Sequence, residues 1–193
     1  MNREVVQNGN PRLKAPNKAV DNINNPNFKK IVVDLIDTMR INNLIGIAAP
    51  QIGENLRVFV TEPRETETRT GDQTDELKVY INPKIIRFSN EEVVIWEGCG
   101  SYKKGSIFGP VERPKEITIE ATSVNGKRFS FTCNGILARV IQHEYDHLDG
   151  IEFIDRMDNL EELKSREYYI NEIKNQPKII NTSIITKKEL KEL

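Results

Sequence analysis

The sequence predicts an α+β domain in which antiparallel strands surround one buried helix. Three patterns support this prediction: apolar residues at helical spacing over 136–149, alternating strand-like runs between 57 and 131, and an amphipathic helix near the N-terminus. A charged helix is predicted towards the C-terminal end. The 193 residues suit one domain over 1–175, followed by a C-terminal tail, 176–193, whose role the sequence leaves open.

The composition excludes several kinds of partner. The hydrophobic fraction is 37%, enough for a core, and the charged fraction is 30% with a net charge of −1. This balance gives no basis for an anionic membrane or for sequence-specific nucleic acid. No apolar run approaches the roughly 18 residues of a membrane span, the first residues lack the apolar core of a signal peptide, and two cysteines make no disulfide framework. We expect a cytoplasmic protein, and a monomer.

The N-terminal half contains one predicted helix and the start of a sheet. Asn25-Pro26 begins the helix, with proline at its first position, and apolar residues recur at helical spacing as far as Met39. A strand is predicted over 57–60. The charged, threonine-rich stretch 61–78 is predicted to be a solvated loop.

The segment 44–53 lies between that helix and that strand, and its small residues and proline favour a tight, non-helical backbone. The N–H and C=O groups around Ile45-Gly46-Ile47 suit pairing with an extended peptide, as a sheet edge does. Gln51 adds an amide that can donate to a developing oxyanion. An ordinary loop explains the segment equally well.

Further strands are predicted on both sides of a hairpin turn at Asn125-Gly126. They cover 79–81, 85–86, 92–96, 117–121 and 128–131. After the apolar helix, a short strand is predicted over 151–154 and a charged helix over 160–174.

The apolar helix over 136–149 carries the chemical signal, a His-Glu-x-x-His pattern. His143 and His147 are the only histidines in the sequence, and four residues on a helix return to the same face. Both can therefore bind one metal ion, and Glu144 can act on a water held there. All three lie within the apolar arc of the helix, where a carboxylate needs a compensating charge such as a metal ion.

The other side of this helix is predicted to be polar. It carries Arg139, Gln142, Asp146 and Asp149. Asp146 is therefore not expected to bind the metal. Arg113 is a candidate partner for Glu97 or Asp146, although a surface position explains this arginine more simply.

Two histidines leave a catalytic site one ligand short, because such sites use three protein ligands. The longer pattern of metzincin proteases would place Phe153 at the third position, so that Asp149, Glu152 or a later glutamate would have to serve. A lone cysteine is more often a small buried side chain. Cys99 is nevertheless the better candidate, since glycines flank it and a thiolate binds soft and borderline metals strongly.

Three segments in this order resemble the peptide deformylase family. They are Gly46-Ile47-Ala48-Ala49-Pro50-Gln51, Glu97-Gly98-Cys99-Gly100-Ser101 and Gln142 through Gly150. The resemblance covers about Leu13 to Asp155. Leu44 stands where the family usually has a glycine, Gly100 replaces a leucine, and 102–110 lacks the usual proline-led continuation. We expect these departures to change the pocket more than the reaction.

The resemblance implies hydrolytic removal of the formyl group from N-formylmethionine on newly made polypeptides, at the ribosome or after release. It implies one divalent metal ion, Fe²⁺ in the cell, with Zn²⁺, Ni²⁺ or Co²⁺ able to occupy the site. Cys99, His143 and His147 would bind it. Glu144 would be the general acid–base.

The residues support a mechanism in which the metal, the Gln51 amide and the Gly100 N–H stabilise the oxyanion. The substrate would lie beside Ile45-Gly46-Ile47, with Gly98 as a further substrate-binding residue. The methionine side chain would enter a pocket partly lined by Ile136 and Val140, which share the helix stripe with the histidines. Two alternatives stay open: a metallopeptidase of different specificity, with Glu152 or a later glutamate as third ligand, and a non-enzymatic protein that binds peptide termini or ribosomes.

Overall fold

A computed structural model describes residues 3–66, 69, 71–103 and 105–190. The helices are α1 (Pro26–Ile41), α2 (Gly135–Leu148), α3 (Arg166–Tyr168) and α4 (Pro177–Ser183). The strands are β1 (Gly46–Ala48), β2 (Val58–Thr61), β3 (Lys78–Phe88), β4 (Glu92–Gly98), β5 (Ile107–Pro114), β6 (Glu116–Thr122), β7 (Arg128–Asn134), β8 (Lys164–Ser165) and β9 (Lys187–Leu190).

Two antiparallel sheets enclose α2. The larger has the order β1-β2-β3-β6-β7-β9, and the smaller has the order β4-β5-β8. α2 packs on β1, β2 and β7 of the larger sheet. From its other side Arg139 donates to the carbonyls of Val93 in β4 and Val111 in β5, at 2.7 and 2.9 Å. The predicted α+β fold, with antiparallel strands around a buried helix, is confirmed.

Helix α1 starts where its sequence signal places it. Asn25 Oδ1 accepts from the Asn27 amide at 2.8 Å, and Pro26 occupies the first helical position, where a missing N–H costs nothing. The buried face includes Phe28, Leu35 and Met39, which belong to the same apolar cluster as β1 and β2 residues. This packing fixes the position of β1 next to α2.

Two predictions about the segment after α2 were wrong. Residues predicted as a strand over 151–154 instead form a 3₁₀ turn, Phe153–Arg156. The helix predicted over 160–174 is shorter, because Leu160–Glu162 forms another 3₁₀ turn and β8 follows it. Only α3 and a π-helical turn, Tyr169–Ile173, are helical there.

The C-terminal segment folds back on the domain. β9 pairs with β7, from Ser130 opposite Leu190 to Cys133 opposite Lys187. At the start of α2, Gly135 has φ +63°, and a Cβ there would lie 2.1 Å from the Ile184 carbonyl oxygen. Only glycine allows this approach. Within the described residues, no helix is long and apolar enough to cross a membrane.

Candidate metal centre

The structure brings together the three side chains expected to bind metal. Cys99 follows the last residue of β4, while His143 and His147 project from α2. One potential ligand atom from each lies within 4.8 Å of the others, and all three residues are buried. Cys99 Sγ is 3.3 Å from His147 Nε2. The alternative ligand Glu152 is not part of this cluster, and its Oε2 accepts from Asn8 Nδ2 at 2.9 Å.

Glu97 orients one of these histidines. His143 Nδ1 lies 2.8 Å from Glu97 Oε2, and a carboxylate can only accept, so Nδ1 carries the hydrogen. Nε2 is then free to face the Cys99 thiol. Metal-binding histidines are commonly fixed in this way by a carboxylate behind the ring.

A buried arginine holds Glu97 ionised. Arg113 donates to both Glu97 oxygens, at 2.7 and 3.1 Å, and Arg139 donates to one of them at 2.8 Å. Burial alone would raise the pKa of Glu97, but the charge of Arg113 and the hydrogen bonds from His143 and Arg113 outweigh it and hold that pKa well below its usual range. The negative charge that orients His143 is therefore permanent near neutral pH.

The same arginine extends the network to the predicted polar side of α2. Arg113 Nη1 donates to Asp146 Oδ2 at 2.6 Å, and Arg156 donates to both Asp146 oxygens, at 2.8 and 3.1 Å. The simpler interpretation of Arg113 as a surface residue was wrong, because its side chain is only 5% exposed. Arg113 pairs with both proposed partners, Glu97 and Asp146.

Glu144 is buried beside the ligands with one oxygen unpaired. The residue is 3% exposed, and its Oε2 finds no hydrogen-bond partner in the described part of the chain. Burial raises the pKa of Glu144 to about 7, with a smaller contribution from the charge of Glu97. A buried carboxylate oxygen without a hydrogen-bond partner destabilises the folded protein. A divalent cation beside it, held by one thiol and two imidazoles, would offset that cost.

The strand next to Glu144 can come this close only because it begins with glycine. A Cβ on Gly46 would lie 2.6 Å from Val140 Cγ2 and 2.7 Å from Glu144 Oε1. Such distances are far inside van der Waals contact. Gly46 therefore lets β1 lie directly against the face of α2 that carries Val140 and Glu144.

Gln51 points its amide nitrogen at the same centre. Its Oε1 accepts from the Ala48 amide at 2.8 Å, which leaves Nε2 facing Cys99 Sγ at 3.4 Å and Ser101 Oγ at 3.3 Å. The 3₁₀ turn Ala49–Ile52, closed by Gly53 at φ +83°, sets this position. The segment predicted to be tight and non-helical is thus one strand followed by one turn.

The N-terminal segment supports this arrangement, a role that its polar sequence did not reveal. The Val6 amide donates to the Gln51 carbonyl at 2.8 Å, and the Asn8 amide donates to the Ser101 carbonyl at 2.8 Å. Gln7 Nε2 donates to the Gly100 carbonyl at 3.1 Å. These contacts join the two loops that flank the ligands.

A cavity of about 210 Å³ opens onto the ligands. The predicted substrate residues that line it are Ile45, Gly46, Gly98, Ile136 and Val140, together with Gly100. Ile47 does not line it, because its side chain is fully buried in the cluster beneath α1. Three aromatic residues that sequence patterns did not predict also line the cavity, namely Trp96, Phe108 and Tyr169. Phe108 and Tyr169 stack with their ring centroids 4.3 Å apart.

Leu44 and Gly100 occupy one shared space in this wall. A Cβ on Gly100 would lie 3.0 Å from Leu44 Cδ1 and 3.6 Å from Val5 Cγ1. The Leu44 side chain thus fills the volume that a side chain at position 100 would need. The two departures noted in the sequence compensate each other sterically.

The fold and the site together define a class of protein. A buried thiol and two imidazoles that could hold a metal ion, with an unpaired glutamate on the same helix and an adjoining cleft, fit a hydrolase. Comparison with known proteins is consistent with this class and narrows it.

The family model described as polypeptide deformylase matches residues 2–163. "Peptide deformylase 2" of Nostoc sp. is 38% identical over 165 residues, which are 85% of this chain and 91% of that protein. A peptide deformylase of Dictyoglomus thermophilum is 40% identical over 156 residues, 81% of this chain and 93% of that one. The chain therefore belongs to the polypeptide deformylase family.

Solved structures agree with this assignment. A class I type b peptide deformylase of Acinetobacter baumannii, solved with Met-Ala-Ser bound, superimposes with a TM-score of 0.74 at 30% identity, covering 81% of this chain and 99% of that one. The peptide deformylase of Thermotoga maritima gives 0.72 at 32% identity, covering 82% and 99%. The resemblance drawn from three sequence segments is confirmed.

Proposed function

We propose that this protein hydrolyses the formyl group from N-formylmethionine at the N-terminus of newly made polypeptides, releasing formate and a free amine. Family membership supports the reaction class. The observation that carries the proposal is the Glu144 carboxylate, buried with one unpaired oxygen beside Cys99, His143 and His147.

The metal would be held by those three side chains. Burial lowers the pKa of His147 well below its usual value, so the ring is neutral, which is the form that binds metals. When bound, the ion supplies Lewis acidity at the formyl carbonyl and promotes deprotonation of water. We propose Fe²⁺ in the cell; a thiolate and two imidazoles also suit Zn²⁺, Ni²⁺ and Co²⁺.

Glu144 moves the proton in this mechanism. It accepts a proton from water as the oxygen attacks the formyl carbon, and it donates that proton to the amine nitrogen as the C–N bond breaks. Its pKa of about 7 suits both steps. Gly46 leaves room for this carboxylate, since a Cβ at that position would lie 2.7 Å from Glu144 Oε1.

Two donors would stabilise the oxyanion. Gln51 Nε2 is already aimed at the ligand cluster, because its own oxygen is fixed by Ala48. The Gly100 N–H is the second proposed donor, on a loop that Gln7 and Asn8 hold. Donors fixed before the reaction need no reorganisation as charge develops.

The substrate would extend along β1. β1 is the outermost strand of its sheet, and Ile45 and Gly46 line the cavity, so that side of the strand can pair with an extended peptide. The methionine side chain would enter between Ile136 and Val140. The Met-Ala-Ser complex of the Acinetobacter baumannii neighbour supports a methionine-led peptide as the ligand.

Several partner and location assignments are part of this proposal. We expect nascent polypeptides as substrates, contact with the ribosome during synthesis, a monomeric enzyme and a cytoplasmic location.

The test measures formate release from formyl-Met-Ala-Ser and cleavage of its unformylated counterpart by Fe²⁺-loaded protein, with metal analysis of the same sample. We expect formate from the first peptide and no reaction with the second. Hydrolysis of the unformylated peptide would instead indicate a metallopeptidase. No product from either would favour a protein that only binds peptides.

Cys99→Ala gives the most direct check on the ligand set. The variant should lose both bound metal and formate release, because two imidazoles alone hold a divalent ion weakly. Cys133→Ala is the matched control: this cysteine is also buried, but it lies in β7 within the cluster beneath the larger sheet. Full metal occupancy in Cys99→Ala would remove Cys99 from the site.

A further inference from the structure

Three cationic residues line the same cavity as Cys99 and His143. They are Arg69, from the loop before β3, and Arg166 and Lys174, at the two ends of the helical segment that contains α3. None of the three makes an ion pair with any described residue. Like charges held close together are unfavourable unless something offsets them.

The acidic residues of the cavity cannot offset these charges. Glu97 is occupied by Arg113, Arg139 and His143, and Glu144 lies against the ligands. Burial, together with the neighbouring positive charges of Arg69 and Arg166, lowers the pKa of Lys174. The part of the cavity that these cations line is therefore positive.

The segment that carries two of these cations is anchored. Tyr169 stacks on Phe108 of β5 with ring planes 6° apart. Tyr169 also stacks with Trp96 of β4, with ring centroids 6.0 Å apart. Arg69 is fixed too, because its Nη1 donates to the Arg64 carbonyl at 3.1 Å. Such anchored cations reduce the entropy lost when an anion binds.

We propose that Arg69, Arg166 and Lys174 form a carboxylate subsite, which selects formylated peptides carrying a negative charge downstream of methionine. This inference rests on the proposed deformylation. An extended peptide advances about 3.3–3.6 Å per residue, so residues after the methionine reach this part of the cleft. The carboxylate can come from an acidic side chain or from the C-terminus of a short peptide.

The test compares the kcat/KM values of the Fe²⁺-loaded protein for four substrates at low salt. Formyl-Met-Ala-Asp-amide and formyl-Met-Asp-Ala-amide place the charge at either position, formyl-Met-Ala-Asn-amide is neutral, and formyl-Met-Ala-Asn with a free C-terminus carries a terminal carboxylate. We expect the charged substrates to exceed the neutral one by about three- to tenfold through KM, which corresponds to one or two partly exposed ion pairs. The difference should shrink with added salt, since exposed charges are screened.

The double variant Arg166→Gln/Lys174→Gln should bring the ratio of charged to neutral substrates close to one. Lys84→Gln, which removes an exposed lysine of β3 away from the cavity, should keep the wild-type ratio. Thermal unfolding and metal content show whether both variants remain folded and loaded.

The outcomes separate the two proposals. Equal kcat/KM for all four substrates in the wild type would overturn the subsite and leave deformylation standing. An acidic preference that survives in the double variant would remove Arg166 and Lys174 from it. Absence of formate from every substrate would overturn deformylation, and the subsite with it.

Discussion

The two sides of α2 are both buried, but they differ in whether their polar groups have hydrogen-bond partners. Towards the smaller sheet, Arg139 and Asp146 have hydrogen-bonding partners at every charged end. Towards the ligands, Glu144 Oε2 has none among the described residues. Paired buried groups specify a structure. The unpaired Glu144 oxygen lies beside Cys99, His143 and His147, where a metal ion would complete the structure.

Glu144→Ala tests the unpaired side and should have the largest effect. The variant should keep its metal and its fold but lose roughly 10²–10⁴-fold in turnover, the usual contribution of a positioned acid–base group. Glu144→Asp should also be poor, because a shorter arm withdraws the carboxylate. Formate release and metal content must be measured on one preparation. Loss of metal would make Glu144 a ligand, and retained turnover would contradict its role in proton transfer.

Arg113→Met tests the paired side. It leaves the buried Glu97 and Asp146 carboxylates with fewer partners, so unfolding free energy should fall by about 3–5 kcal/mol, as when one member of a buried ion pair is removed. Urea unfolding at neutral pH measures it. Arg128→Met is the control, since this arginine pairs with Glu120 while 61% exposed and should change stability by less than about 1 kcal/mol. Equal losses of unfolding free energy in both variants would show that the buried network stabilises the fold no more than an exposed ion pair does.

Substitutions at Leu44 and Gly100, whose side chains would share one volume, should have the smallest effect on stability. Gly100→Leu alone should destabilise by about 1–3 kcal/mol, because it overpacks against Leu44. Leu44→Gly in the same chain should recover most of that loss. A double-mutant cycle in unfolding free energy and in KM measures the coupling. Additive effects would show that the two residues do not share one volume.

Local patterns predicted the parts of the molecule whose causes are local. Asn25-Pro26 begins α1, and the His-Glu-x-x-His spacing places both imidazoles on one face. Cys99 lies more than 40 residues before these histidines. It was predicted as a ligand only because a catalytic site needs a third ligand and because glycines flank this cysteine.

The remaining features depend on partners distant in the chain. Arg113 looked like a surface residue because nothing near it in sequence shows that Glu97 and Asp146 converge on it. The helical wheel marked one side of α2 as polar, and it cannot show that a second sheet covers the charged residues on that side. The contacts of Val6 and Asn8 with the ligand loops arise in the same way.

Strand β9 has a consequence for solubility. It forms the outer strand of the larger sheet, and the Lys187-Lys188-Glu189 sequence places charges along that border. Without it, β7 would expose unpaired backbone groups beside Phe129 and Phe131, a template for pairing with other chains. Charged border strands resist such pairing. The C-terminal segment thus covers an edge of the larger sheet that would otherwise be open to pairing with other chains.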